Sequence, residues 1–315
     1  MEVREPAELA ALAASPLAAE LVGDVVVVDV SGPHPDLGPL ADLPTVVVGI
    51  GPGPCDAVDV LVDDDLAAER VVDAAAAHPV AAAALAVHLR VAEGLPVGRG
   101  LAAESAVYST LQAGPEHAAW LGARQRRAPR PGADDGGERV RVTRDAGRIH
   151  VALARPAARN AVDAAMQRAL VDALGTVGDD VGEVLLTGDG PVFSAGGDLD
   201  EFGDLADPAS AHLLRLTRSP ARALARVAGR ATVVVQGACH GAGVELPAFA
   251  RRVVARPGTT FTLPEVAMGL IPGAGGTVSI PRRIGRQRTA WLALTGASLD
   301  AGTARDWGLV DEIAP

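Results

Sequence analysis

Two glutamates stand where a carboxylate is costly. Glu245 follows the apolar run Thr232-Val233-Val234-Val235 and a glycine-rich break, Gln236-Gly237-Ala238-Cys239-His240-Gly241-Ala242-Gly243. It sits just inside the helix predicted to follow that break. Glu265 lies directly behind Pro264 in the otherwise apolar stretch Phe261 to Ile271. A carboxylate in such a setting needs a partner or a task, and a pair of them suits acid–base work on one substrate. They are 265 − 245 = 20 residues apart, so only tertiary folding can bring them together. The glycines around Gly241 let backbone approach a ligand closely. The strand-to-helix junction leaves N–H groups unpaired at the positive end of a helix, where an oxyanion is stabilised.

Each feature has a plainer reading. A glutamate can cap a helix or pair with an arginine, and perturbed functional carboxylates are few. The turn Phe193-Ser194-Ala195-Gly196-Gly197-Asp198 ends in an aspartate of the kind that caps helix N-termini. His240 can simply hydrogen-bond a backbone group, and Arg251-Arg252 reads as a surface or ion-pairing site. Gly49-Ile50-Gly51-Pro52-Gly53-Pro54 follows a strand as a dinucleotide loop would, but it lacks the last glycine, and two prolines remove amide donors. It reads as a turn.

The elements that must position these groups belong to an α/β protein. The chain has 315 residues, 49% hydrophobic and only 3% aromatic, so its core is built from Ala, Val and Leu. All 28 basic residues are arginine, and the net charge of −11 argues against a nucleic-acid surface. Two cysteines, Cys55 and Cys239, are too few for a disulfide framework or a zinc cluster. No metal is expected. No apolar run reaches membrane-spanning length, so no membrane partner is expected and the cytoplasm is the default.

In order, Pro6 to Val22 has helical composition broken by Pro16, and Val25 to Val30 and Thr45 to Ile50 read as buried strands. Residues 1–65 thus form a small α/β segment. Ala67 to Ala77, Val80 to Glu93 and Leu101 to Leu111 read as helices within a segment 66–128. Residues 129–138 have linker composition. From 139 onward strand and helix alternate: Val140-Arg141-Val142, Ile149 to Leu153, a helix from Asp163 to Leu174, a strand from Val184 to Thr187, and on to the end.

Phe193-Ser194-Ala195-Gly196-Gly197-Asp198-Leu199, then Gly241-Ala242-Gly243-Val244-Glu245-Leu246, then Pro264-Glu265 with Gly269-Leu270-Ile271-Pro272-Gly273-Ala274-Gly275-Gly276-Thr277, resemble the successive motifs of the crotonase superfamily, the enoyl-CoA hydratases and isomerases. The resemblance runs from about Arg148 to the C-terminus and implies a spiral core of ββα repeats over 139–315. Leu101-Ala102-Ala103-Glu104-Ser105-Ala106-Val107-Tyr108-Ser109-Thr110, Gly114-Pro115-Glu116-His117 and Leu121-Gly122-Ala123-Arg124 resemble the helical tail that closes such enzymes, here placed before the core in permuted order.

The resemblance further implies that Glu245 activates water, that Glu265 donates a proton, and that the N–H groups of Gly197 and Ala242 form an oxyanion hole, with Asp198 as the cap that aims the first. Many relatives carry glycine at the Ala242 position. For coenzyme A it implies Ala158, Arg159, Ala195, Asp198, Leu199 and Gly241. Arg159, Arg124 and Arg126 are candidates for the phosphates, since guanidinium forks suit them; the family's usual lysine falls on Ala157. The expected reaction is reversible syn-hydration of a 2-enoyl-CoA to a 3-hydroxyacyl-CoA. No cofactor is needed beyond the coenzyme A of the substrate, and a homotrimer or hexamer is expected. Double-bond isomerisation or other enolate chemistry on an acyl-CoA is the alternative within enzymes, and a CoA-binding assembly subunit the alternative outside them.

Overall fold

The computed structural model describes residues 2–13, 15, 25–124, 137–204 and 207–315. Among these, β-branched runs build a first parallel sheet in the order β1 (Val3–Arg4), β2 (Val25–Asp29), β3 (Val46–Ile50), β4 (Val60–Val62). Side chains alternate along its strands, as a period of two requires. Val27, Val46, Val48 and Val60 join the apolar cluster of the helices that follow. Val26, Val28 and Val47 pack with Leu9 of α1 (Pro6–Ala13) and with Leu40. The predicted strands became β2 and β3; of the predicted helix beyond Ala13, residue 14 and residues 16–22, with Pro16, lie outside the described residues. The Gly49 to Pro54 turn follows β3, and a Cβ on Gly51 would lie 2.8 Å from the Ser31 nitrogen, so that glycine serves the close passage of two strand ends.

Four helices come next. Asp64 caps α2 (Asp65–Ala77) by accepting from the Ala67 N–H, and prolines open α3 (Pro79–Ala92) and α5 (Pro115–Ala123), where a missing N–H is harmless. Between them α4 (Val97–Gln112) starts at Val97, four residues earlier than the predicted Leu101, straight after Pro96. Leu85, Leu89, Leu101 and Leu111 are all buried and belong to one apolar cluster with the later strands. Each contributes roughly 1.5–3 kcal/mol on burial. A buried ion cluster ties the first sheet to the rest. Asp59, behind β3, accepts from Arg90 Nε at 2.8 Å and from the Val47 N–H at 2.8 Å. Arg286 Nη1 reaches the same aspartate at 3.1 Å.

The remaining strands are β5 (Val140–Asp145), β6 (Arg148–Leu153), β7 (Glu183–Gly188), β8 (Ala231–Val235), β9 (Ala238–His240), β10 (Arg252–Ala255), β11 (Thr260–Thr262), β12 (Leu299–Asp300) and β13 (Glu312–Ile313). They form a six-stranded sheet, β13-β10-β8-β7-β6-β5, and a three-stranded one, β12-β11-β9. Only β5 runs antiparallel in the larger sheet. Around them lie α6 (Ala164–Gly175), α7 (Pro208–Thr217), α8 (Pro220–Val227), α9 (Ala242–Glu245), α10 (Gly276–Ser279), α11 (Pro281–Ile284), α12 (Arg286–Thr295) and α13 (Ala301–Trp307). Arg252 pairs with Glu312 across β10 and β13, the ion-pairing role expected of the Arg251-Arg252 site. Among the described residues no single helix is long and apolar enough to cross a membrane.

Candidate active site

Glu245 and Glu265 meet across Gly241. A Cβ on Gly241 would lie 2.4 Å from Glu265 Oε1 and 3.8 Å from Glu245 Oε1, and the residue has φ +47, so only glycine leaves the two carboxylates room. Glu245 ends the single turn of α9, and its Oε2 accepts from the Ala274 and Gly276 N–H groups at 2.7 and 2.8 Å. Glu265 follows β11, and its Oε2 is buried without a hydrogen-bond partner among the described residues. Both line a cavity of about 430 Å³.

Gly197 and Ala242 line the same cavity. Neither N–H has a hydrogen-bond partner among the described residues. At Gly197 the bridge to Val162 uses the neighbours instead: the Val162 N–H donates to the Gly196 carbonyl and the Asp198 N–H to the Val162 carbonyl. At Ala242 the N–H is the first of a helical turn, free by geometry. The two strips of chain abut, since a Cβ on Gly196 would lie 3.7 Å from the Ala242 nitrogen. Asp198 accepts from the Asp200 N–H at 3.1 Å, capping the short turn after it, and from Arg155 Nη1 at 2.5 Å. Asn160, fully buried with φ +52, donates to the Asp189, Val192 and Phe193 carbonyls and holds this turn from behind.

A third carboxylate joins them. Glu104 of α4 is buried and accepts from the Gly275 N–H at 2.8 Å, the Thr277 N–H at 3.0 Å and Thr277 Oγ1 at 2.7 Å. His88 Nε2 lies 2.8 Å from the same Thr277 hydroxyl. The sequence reading included Glu104 only within the tail-like segment. The helical segment touches the second glutamate's loop as well, for His117 Nδ1 lies 2.9 Å from the Met268 carbonyl, three residues past Glu265.

Burial pushes all three carboxyls up. Glu245 rises to about 7, restrained by its two amide donors. Glu104 rises to about 8 through burial and then the charge of Glu245. Glu265 rises well above the usual carboxylate range, through burial first and Glu245 next. Glu245 is thus the group that ionises most readily, its charge then holding the other two up, and Glu265 is the one that keeps its proton. His240 in β9 is half-buried and held below its ordinary value by burial and by the charge of Arg159.

The residues expected at coenzyme A are more scattered. Asp198 lines the cavity, whereas Ala158, Arg159, Ala195, Leu199, Gly241 and Arg124 do not. Arg159 is exposed, in a left-handed turn with φ +54, and its carbonyl accepts from the Ala195 N–H at 2.9 Å. Arg124 is taken up by Asp200 and by the Leu199 carbonyl, both at 2.5 Å. Arg126 lies outside the described residues.

With this geometry in view, the enoyl-CoA hydratase/isomerase family model matches residues 143–315. The chain belongs to that family, and its mixed α/β core has the crotonase fold. It is 34% identical over 177 residues to the 2,3-dehydroadipyl-CoA hydratase of Escherichia coli strain K12, covering 55% of this chain and 68% of that one. It is 32% identical over 180 residues to the enoyl-CoA isomerase/hydratase of Mycosarcoma maydis, covering 54% and 66%. The chain thus spans about two thirds of the length of these curated relatives. Among solved structures, the enoyl-CoA hydratase of Thermoplasma volcanium GSS1 superposes with a TM-score of 0.51 at 31% identity, covering 57% of this chain and 73% of that one. A Thermobifida fusca YX structure in complex with acetoacetyl-CoA does so with a TM-score of 0.51 at 27% identity, covering 56% and 73%.

Proposed function

We propose that the chain catalyses the reversible syn-addition of water to a 2-enoyl-CoA thioester. The observation that carries this reading is the convergence of Glu245 and Glu265 across Gly241, in a cavity also lined by the unpaired N–H groups of Gly197 and Ala242. Ionised Glu245 takes a proton from water as the water oxygen attacks C3. The electron pair of the double bond moves toward the thioester oxygen, where the two N–H groups receive the developing charge; each such donor contributes roughly 3–4 kcal/mol. Protonated Glu265 then delivers its proton to C2, and the two glutamates exchange roles in dehydration. Their environments separate them in this sense, since Glu245 carries two amide donors and Glu265 an unpartnered oxygen.

The relatives named as hydratases and the acetoacetyl-CoA bound in the Thermobifida structure support an acyl-CoA substrate. The N-terminal helices complete the site in place of the usual tail, a reading supported by the Glu104 and His117 contacts. Assembly as a homotrimer or hexamer belongs to the same proposal. The test is a panel of 2-enoyl-CoA thioesters followed by the ultraviolet loss of conjugation. Absence of turnover on every chain length would remove the proposal.

A further inference from the structure

Among the described residues, Arg215 is a half-buried cation in the cavity wall with no ion-pair partner. Arg215 of α7 lines the cavity together with Glu245 and Glu265. Its guanidinium stacks over Tyr108 of α4 at 4.8 Å from the ring centroid. Nε donates to Ser105 Oγ at 3.1 Å and Nη2 to Ser109 Oγ. Both hydroxyls have a second contact. Ser109 donates to the Pro208 carbonyl at 2.9 Å, and Ser105 lies 2.9 Å from His212 Nδ1. Three contacts therefore fix the plane of the guanidinium, and none is an ion pair. Among the described residues no carboxylate pairs with Arg215 and Nη1 has no partner.

Several other enclosed arginines differ in this respect. Arg90, Arg139, Arg155 and Arg286 each pair with an aspartate. Desolvation pulls the basicity of Arg215 down, a cost that an anion on its open edge would offset. Its position relative to Glu245 is set by Tyr108. The ring packs against Gly273, where a Cβ would be 2.3 Å away, and Ala274 beside it binds Glu245. Arg215 thus stands one aromatic ring beyond the glutamates, with Arg218 and Arg222 on the same cavity wall.

We infer that Arg215 is the recognition residue for a carboxylate at the far end of the acyl chain, so that the preferred thioesters are short ω-carboxy-2-enoyl-CoAs. This rests on the acyl-CoA reading of the cavity. A planar guanidinium held on its Nε and Nη2 edge offers its remaining N–H groups to a carboxylate, and Tyr108 prevents it from swinging away.

The experiment compares binding of glutaryl-CoA and adipyl-CoA with pentanoyl-CoA and hexanoyl-CoA by titration calorimetry on the full chain, for wild type, Arg215→Met and Arg218→Met. The expected result is binding of one dicarboxylic thioester roughly 10- to 100-fold tighter than its alkyl counterpart, a preference that Arg215→Met erases and Arg218→Met keeps. Equal binding of both classes by wild type, or a preference that survives Arg215→Met, would overturn the inference. Hydration of the matching 2-enoyl thioesters is measured in parallel. A binding preference without turnover supports the carboxylate site and removes the hydratase reading; turnover without any preference does the reverse. Binding of none of the thioesters removes both.

Discussion

Glu104 and Glu245 grip one turn by alternate amides. Glu245 takes the N–H groups of Ala274 and Gly276, and Glu104 takes those of Gly275 and Thr277. The general base of the proposed reaction is therefore aimed by a turn whose other face is held from the N-terminal helices. Glu104→Ala leaves two buried amides unpaired, each costing about 1–3 kcal/mol. Its melting temperature should fall clearly by calorimetry. Glu104→Gln keeps one acceptor oxygen and should fold better, yet hydrate roughly tenfold to a hundredfold more slowly if Glu245 loses its aim. A fully active Glu104→Ala enzyme would show that the turn needs no second carboxylate.

Replacing either Glu245 or Glu265 with Gln should lower kcat for hydration by roughly 100- to 10,000-fold while leaving the circular dichroism spectrum intact. Retained double-bond migration in Glu245→Gln, with hydration lost, would instead favour isomerase chemistry carried by Glu265 alone.

Gly241→Ala places a methyl 2.4 Å from Glu265 Oε1 on a backbone with φ +47. The expected outcome is a folded protein with a large loss of kcat, because the methyl parts the two carboxylates that must share one water. Unchanged kinetics would mean that they never share it.

Stability should fall as pH rises through neutrality. A carboxyl whose folded-state value is raised keeps a proton that the unfolded chain has already released, so its contribution is complete below the ordinary 4.5 and is lost as pH climbs to the folded value. For Glu104 that window runs from 4.5 to about 8, and for Glu245 from 4.5 to about 7. Each group contributes a slope of up to about 1.4 kcal/mol per pH unit within its window. Urea midpoints of wild type should drop from pH 5 to pH 8, and Glu104→Gln should drop less. Equal slopes would place the proton elsewhere.

A core beginning near residue 139 would uncover the apolar surface that Leu85, Leu89, Leu101 and Leu111 cover, and should aggregate or lose its assembly when expressed alone. Sedimentation and CoA binding of full-length and truncated chains, run side by side, check this. A truncated core that stays soluble, keeps its assembly and binds CoA would overturn the permuted-tail reading.

Glu245 and Glu265 were legible in the sequence because each is a charge set among glycines, prolines and apolar residues, in motifs whose order matches the family. Glu104 was not read as functional, since its partners are backbone amides 171 and 173 residues away and no local pattern names them. One signal was present: Glu104 is three residues from Leu101 and seven from Leu111, on the helix face assigned to the core, where a lone charge must be satisfied. Arg215 carried no signal at all, being one arginine among 28 on an ordinary amphipathic helix. β4 escaped because three residues between acidic neighbours are too short for periodicity to register. Three of the four helices from Asp65 to Ala123 were readable and misplaced only at their ends, where Pro96 rather than composition sets the start of α4, whereas the nine-residue α5 behind Pro115 was not read as a helix of its own.

The separation between Glu104 and its amides also sets a timetable. At roughly 5–20 residues per second of synthesis, Glu104 is made about 9–34 s before the Gly275 that receives it. Throughout that interval α4 presents its apolar face, and an acid with no donors, to whatever is near. The helices α2 to α5 have local contacts enough to form early, so the nascent chain carries a preassembled half of the site that waits for its other half. The site can therefore close only once residues 245–277 have been made, and slowing the ribosome over them should lengthen the exposure of a surface that the finished molecule buries.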